Sequence, residues 1–154
     1  MPKIQKMSYT EFKDVYSKVP KLSVDAVILK ENKILLTKRA IQPSIGEWHI
    51  PGGTVLKGEK LSQTVQRVVK EELGISVSVV KLLGTIEYIT YINKYEQGIG
   101  IVFLVTPKSK KEIILDGQSD KYEYFSEVPK NTIRKQRDFC VDFLKMKMSN
   151  KNIK

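Results

Sequence analysis

Histidine, cysteine and tryptophan each occur only once in the 154 residues. A lone Cys140, set in Asp138-Phe-Cys-Val-Asp-Phe-Leu, cannot close an internal disulfide, and its apolar neighbours at helical spacing mark it as a packed core thiol rather than a nucleophile. His49 has no second ligand at useful spacing, so a structural role is expected of it. No apolar run approaches the roughly 20 residues needed to span a bilayer, which excludes a membrane-spanning helix. The N-terminus, Met-Pro-Lys-Ile-Gln-Lys, lacks the apolar stretch and cleavage site of a secretory leader, and a cytoplasmic location is the expectation. Acidic residues are scarce beside basic ones, 17 against 27, for a formal charge of +10. Such an excess favours anionic ligands such as phosphates or nucleic acid without choosing among them. Part of it lies in the polar C-terminal stretch carrying Lys145, Lys147, Lys151 and Lys154, which reads as a solvated tail.

What is present is the balance of a soluble globular protein, 41% hydrophobic and 29% charged. The whole chain, 1–154, reads as one domain with its core over about 20–146 and short polar ends; no repeat or linker interrupts it. Ser8 followed by Glu11 reads as a capping box that opens a short helix over 8–19, with Phe12, Val15 and Tyr16 on one face. Residues 22–30 and 34–39, joined at Glu31-Asn32-Lys33, read as a hairpin. Pro43, Gly46, Pro51, Gly52 and Gly53 keep 40–53 in a loop with a brief strand near Trp48. Leu61, Val65, Val68, Val69 and Leu73 then recur at helical spacing, with Gly74 as the stop. Extended segments are predicted over 77–83, 85–91, 99–106 and 122–125, and a last helix over 132–146. Helices interspersed with hairpin-connected strands predict an α+β fold, a mixed sheet covered by helices.

The chemistry concentrates in Gly46-Glu-Trp-His-Ile-Pro-Gly-Gly-Thr-Val-Leu-Lys-Gly-Glu59 and Arg67-Val-Val-Lys-Glu-Glu-Leu-Gly-Ile75. Glycines let backbone come close to a ligand or ion. Glu59 near the helix start, with Glu71 and Glu72 in its last turn, supplies the hard oxygens that magnesium prefers. Arg67, four residues before Glu71, can pair with it, while Glu72 projects about 100° further round the helix and is left for a metal. Residue physics alone also admits a plain charge-laced helix behind a glycine-rich turn.

The full spacing, Gly53-x5-Glu59-x7-Arg67 and then Glu71, Glu72, Gly74 and Ile75, resembles the Nudix box, with Val69 and Ile75 at its aliphatic positions. The flanking resemblance runs from about Ser23 to Phe125. It implies an α/β/α sandwich whose loop-helix-loop holds divalent cations, Mg2+ or alternatively Mn2+, against a diphosphate. On matching positions it makes Glu72 the principal metal ligand, Glu71 a second ligand with a catalytic part, the Gly52 carbonyl a further ligand, Arg67 an organiser of the acids, and Glu59 a helix-end acid.

One position departs: the family's usual glutamate after the arginine is Val68 here. A similar loss marks the GDP-mannose hydrolase branch, which this chain also resembles around Lys38-Arg39, Pro43, Gly46, Trp48 and Pro51-Gly-Gly53. That branch uses a glutamine ligand and a histidine base near a late strand. Here the region reads Tyr95-Glu-Gln-Gly-Ile99, so Gln97 is a candidate metal ligand and no histidine accompanies it. Glu96 is the candidate replacement base, and Arg39, at a strand end, the candidate phosphate contact, its planar fork suiting bidentate binding. The implied activity is hydrolysis of a nucleoside diphosphate linked to another group, preferably a nucleotide sugar. The rival is a non-catalytic nucleotide- or RNA-binding module, suggested by Val68 and the charge; no aromatic-studded basic groove supports RNA as the partner. A homodimer accords with the family, although nothing in the sequence marks a dimer surface.

Overall fold

A computed structural model describes residues 4–89 and 97–151, and the side chains of 4–89 and 97–150. Element order is α1 (Tyr9–Tyr16), β1 (Lys21–Lys30), β2 (Lys33–Arg39), β3 (Trp48–His49), β4 (Gly52–Thr54), α2 (Leu61–Leu73), β5 (Val77–Ile89), β6 (Gln97–Pro107), β7 (Ser119–Phe125) and α3 (Arg134–Lys151). The strands form one mixed sheet in the order β3-β2-β1-β6-β5, with β4 added to β1 and β7 to β2. β1 and β6 run parallel from Lys21↔Gly98 to Ile28↔Val105, and the other pairings between these strands are antiparallel.

Alternation along β1 divides the core in two. Val24, Ala26 and Ile28 meet Val65, Val68, Val69 and Leu73 of α2 on one face of the sheet. Val27 joins Ile34, Leu36, Trp48 and Ile50 with Cys140 and Leu144 of α3 on the other. Side chains of period two on the sheet and period near 3.6 on the helices therefore build an α/β/α sandwich, the architecture anticipated. Each fully buried Leu, Ile or Val contributes about 1.5–3 kcal/mol relative to exposure, so the two clusters fix which face α2 and α3 present.

Local signals account for most boundaries. The Ser8 hydroxyl accepts from the Glu11 amide at 3.2 Å and the Glu11 carboxylate accepts from the Ser8 amide at 2.9 Å, a complete capping box. Glu31 and Asn32 both take positive φ, 51° and 63°, which turns β1 into β2. Gly74 ends α2 in the left-handed region at φ 69°.

Four expectations change. β4 forms within the stretch read as loop, because Gly52, Gly53 and Thr54 pair with Asp25, Val24 and Ser23. Segments 77–83 and 85–91 are one strand through Ile89, carried past two register shifts, at Val79/Lys81 and Leu82/Gly84; residues 90 and 91 lie outside the described residues. β7 begins three residues earlier than predicted, at Ser119, and α3 begins at Arg134 and continues to Lys151, through much of the polar tail. Among the described residues no helix is long and apolar enough to cross a membrane.

Candidate active site

Two glycines bring β4 against its neighbours more closely than any side chain allows. A Cβ on Gly52 would overlap the Asp25 carboxylate, and one on Gly53 would lie 2.8 Å from Val68 Cγ2 on α2. Gly53 thus seats the turn on the helix, and Gly52 presents its amide to Glu72, whose Oε1 accepts at 3.3 Å. α2 places Glu72 half-buried beside this turn. Burial pushes the Glu72 carboxyl up to about 8; the Gly52 amide and Arg39 oppose the rise, while the negative charges of Asp116 and Asp25 add to it.

Glu71, one residue earlier, is exposed. Its Oε2 accepts from Arg67 Nη1 at 3.1 Å and its Oε1 from Lys6 Nζ at 3.0 Å, so both oxygens face cations of the protein itself. Arg67 sits at the centre of the acids. Its Nε donates to Glu59 Oε1 at 2.6 Å, and its Nη2 donates to Glu59 Oε2 at 3.1 Å and to the Thr54 carbonyl at 2.9 Å. Glu59 Oε2 also accepts from the Leu56 amide and the Thr64 hydroxyl. Burial pushes the Glu59 carboxyl up, but its bonds to Arg67, Leu56 and Thr64 outweigh that and hold it below its ordinary value. Arg67 and Glu59 are consequently a brace between α2, the loop before it and β4.

A cavity of about 270 Å³ opens over this cluster. It is lined by Gly52, Gly53, Val68, Glu71 and Glu72 of the glycine turn and α2, by Asp116 and Gln118 of the segment before β7, and by Lys6, Met7, Phe12 and Tyr16 of the N-terminal segment. Asp116 was not singled out from the sequence, where it is one acid in an ordinary Leu-Asp-Gly-Gln turn. Here its carboxylate accepts from the Gln118 amide at 3.0 Å and from Gln118 Nε2 at 3.2 Å, and it faces the same space as Glu72.

Asp25 is the second acid missed. It is 5% exposed on β1, wedged between Gly52 and Gly100, with Oδ2 accepting from the Tyr88 hydroxyl at 2.9 Å. Tyr88 in turn accepts from Gln136 Nε2 at 3.0 Å, and Gln136 Oε1 accepts from the Ile50 amide at 2.8 Å, closing a ring of bonds around Pro51-Gly52. Burial pushes the Asp25 carboxyl up to about 7 against the pull of the Tyr88 hydroxyl. The sequence signal was an acid inside the apolar run Val24-Asp-Ala-Val-Ile-Leu29.

The other described residues singled out from the sequence as site candidates are not among those lining the cavity. Arg39, at the end of β2, donates to the carbonyls of Pro43 and Gln42, and its charge reaches both Glu72 and His49. His49 is 7% exposed; its Nδ1 pairs with the Ile50 carbonyl at 2.9 Å and its Nε2 with the Thr37 hydroxyl at 2.9 Å. Burial pushes it down to about 4, the state of a neutral structural imidazole. Trp48 packs edge-on against Phe125 in the core. Cys140 is fully buried, and that burial pushes its thiol up to about 12. Gln97 opens β6 at an exposed position opposite Ile89 and does not line the cavity. Glu96 lies outside the described residues.

Magnesium keeps several waters and takes one or two carboxylates together with substrate phosphates. Among the described residues no three acidic, histidine or cysteine side chains form a ready-made cage. Glu72, half-buried and destabilised as an anion, with Glu71 and Asp116 lining the same cleft, nevertheless meets the requirement of an ion that brings its own water shell.

The family model for the NUDIX domain matches residues 19–137. The chain is 45% identical over 78 residues to the low-salt glycan biosynthesis protein Agl8 of Haloferax volcanii, a match over 51% of this chain and 50% of that one. It is 46% identical over 65 residues to the ADP-ribose pyrophosphatase of Methanocaldococcus jannaschii, over 42% of this chain and 38% of that one. The matched stretch thus spans half or less of the length of these curated relatives. Among solved structures, the MutT protein of Methanosarcina mazei Go1 superposes with a TM-score of 0.72 at 25% identity, over 85% of this chain and 97% of that one. The NUDIX domain of Shewanella oneidensis NrtR, solved with ADP ribose, shares the fold with a TM-score of 0.65 at 19% identity, over 92% of this chain and 99% of that one. The chain belongs to the Nudix family.

Proposed function

We propose that this Nudix-family chain is a magnesium-dependent hydrolase of nucleoside diphosphates linked to another group, with a nucleotide sugar as the preferred substrate and Mn2+ able to replace Mg2+. The observation that carries this reading is Glu72, a half-buried carboxylate held beside Gly52 and facing further acids across one cleft. Mutual repulsion among Glu72, Asp116 and Asp25 is relieved by a divalent cation, so the site favours one electrostatically. In this reading Glu72 is the principal ligand, with Glu71 and the Gly52 carbonyl as further candidates; Gln97, the remaining candidate from sequence, stands outside the cavity lining and would have to be brought to the ion. Glu71 also keeps its catalytic assignment, and it binds metal once Lys6 leaves its Oε1.

When bound, the ion would polarise phosphoryl oxygens and lower the pKa of a water. The protein's own part is to orient and to move a proton. Arg39 contacts phosphate, exchanging its two loop carbonyls for the substrate's oxygens. Arg67 holds Glu59 and Glu71 in register with β4. A base must accept the proton of the attacking water. Glu96 is the assignment from sequence, and Asp116, which lines the same cleft as Glu72, joins it as a second candidate. The substrate class rests on the relatives: one is named for glycan biosynthesis and another for ADP-ribose, itself a nucleoside diphosphate joined to a sugar.

The test is a nucleotide panel incubated with and without Mg2+ in oxygen-18 water, with products weighed. Turnover of a nucleoside diphosphate sugar that requires metal and is abolished in Glu72→Gln supports the reading. Unchanged turnover in Glu72→Gln, or salt-sensitive RNA binding with no hydrolysis of any panel member, overturns it.

A further inference from the structure

Asp25, His49 and Gln136 are buried polar residues from three different elements, and all three meet one short piece of backbone, Ile50-Pro51-Gly52. The approach to α3 is docked alongside it. The Trp48 amide donates to the Asn131 carbonyl at 3.0 Å, and the Ile133 amide to the Trp48 carbonyl at 2.9 Å. Where the chain turns into α3, the Gln136 side chain takes the place of a third main-chain partner and accepts from the Ile50 amide. That bond sets a direction for everything beyond it. With Oε1 committed to an N–H, Nε2 donates to the Tyr88 oxygen, and the Tyr88 hydroxyl is left to donate to Asp25 Oδ2. Asp25 in turn fills the space that a Cβ on Gly52 would need. Gln136, Tyr88 and Asp25 thus hold the turn at both ends, at Ile50 and at Gly52. Apolar side chains of equal volume would pack here without the cost of burying polar groups; what the polar chain adds is a fixed direction.

We propose that Gln136, Tyr88 and Asp25 are positioning residues of the metal site, a buried relay through which α3 holds the Gly52 backbone in place beside Glu72. The inference rests on the proposed function for the identity of the ion. None of the three residues lines the cavity, so each acts through the turn and not by contact with ion or substrate. The Gly52 amide donates to Glu72 and the Gly52 carbonyl is itself a candidate ligand, so a shift of this turn disturbs two oxygen donors at once. Groups that orient metal ligands from behind change metal affinity about 10–100-fold when they are removed.

The experiment measures Mn2+ binding by calorimetry, and hydrogen exchange of the Gly52 amide in chelator, for the wild-type chain, Tyr88→Phe, Gln136→Met and Leu144→Ala. Leu144 packs in the same cluster on α3 without joining the relay, so its truncation reports a general loosening of that helix. Tyr88→Phe and Gln136→Met are each expected to weaken Mn2+ binding about tenfold, whereas Leu144→Ala lowers the melting temperature and leaves Mn2+ affinity within twofold. Affinity within twofold of wild type in either relay variant, or an equal loss in Leu144→Ala, overturns the relay. If Gln136→Met does not fold, Tyr88→Phe decides, since it removes one hydroxyl and keeps the ring. A wild-type chain that binds no Mn2+ counts against the proposed function, and exchange in chelator then decides the relay separately. About tenfold faster exchange at Gly52 in Tyr88→Phe than in wild type and Leu144→Ala supports it, and an equal rate refutes it.

Discussion

Replacing Arg67 with methionine keeps the aliphatic stem and removes the charge from the brace beneath the site. Glu59 would then be left with the Leu56 amide and the Thr64 hydroxyl as donors and no counter-charge, its side chain 1% exposed. Breaking a buried pair from one side costs about 3–5 kcal/mol; Arg67 itself is 22% exposed, so water reaches the pair from that side and the lower end, about 3 kcal/mol, is expected. Glu59→Gln is milder, about 1–2 kcal/mol, because Arg67 keeps the Thr54 carbonyl and Glu71. In a double-mutant cycle by urea unfolding the two losses should fall short of additivity by about 1.5 kcal/mol or more. A chain of this size should show Arg67→Met melting about 6–12 °C lower. The pH profile supplies a second signature. Glu59 is held below its ordinary value in the folded state, so its contribution is present above pH 4.5 and is lost as the pH falls through the folded value. Arg67→Met should flatten that acid limb. A loss under about 1 kcal/mol, or additivity within about 0.5 kcal/mol, would show that the pair is an ordinary surface contact and refute the reasoning.

Glu72 predicts the opposite slope. Its folded value is raised from 4.5 to about 8, so the folded state keeps a proton the unfolded chain releases, and metal-free stability should fall as the pH rises across that window. The full span corresponds to about 5 kcal/mol, an upper bound that solvent at the half-buried carboxyl reduces; Mg2+ should reverse the loss and Glu72→Gln should abolish it, and a flat profile in chelator sinks the assignment. Asp25→Asn should raise metal-free stability at pH 8, because the acid is raised from 3.8 to about 7 while an amide oxygen can still accept from Tyr88; a lower melting temperature at that pH contradicts the burial account. Gly53→Ala should cost about 1–3 kcal/mol through its approach to Val68, and the cost should shrink in a Val68→Ala background; an equal cost in both backgrounds would place the strain elsewhere. Cys140 should react with a thiol reagent only at the global unfolding rate, given its complete burial, and prompt labelling of the native chain would contradict that packing.

The parts of the fold with local causes were legible. The Ser8–Glu11 box, the turn at Glu31-Asn32 and the apolar spacing from Leu61 to Leu73 each need only neighbouring residues to act, and each stands where the sequence places it. β4 was not, because Gly-Gly-Thr has little intrinsic strand preference and becomes a strand only by pairing with Asp25, Val24 and Ser23. Long-range chemistry hid the same way. Asp25 is an acid without a partner in its own apolar run until Tyr88, 63 residues away, supplies its hydrogen bond. Asp116 acquires meaning only from sharing a cavity with Glu72, 44 residues away in sequence. The box itself was readable, because Glu59, Arg67 and Glu71 are held by helical spacing and one short loop.

Val68 is where the sequence and the structure bear on each other most directly. As a departure from the family pattern it suggested a lost ligand and, with it, a domain that binds without hydrolysing. In the fold it is 3% exposed, belongs to the cluster between α2 and β1, and fills the space that Gly53 vacates by having no side chain. A glutamate there would have to turn out of that cluster into the cleft and place another negative charge beside Glu72, whose carboxyl burial and its acidic neighbours already push up to about 8. Valine instead adds apolar contact under the glycine turn, and Asp116, on the segment before β7, lines the same cleft with a carboxylate. The negative charge facing the cleft is thus redistributed rather than removed. This favours the hydrolytic reading over the binding-only one, and the same arrangement predicts that Val68→Glu will lower stability in chelator more than in Mg2+, because only a cation relieves the added repulsion.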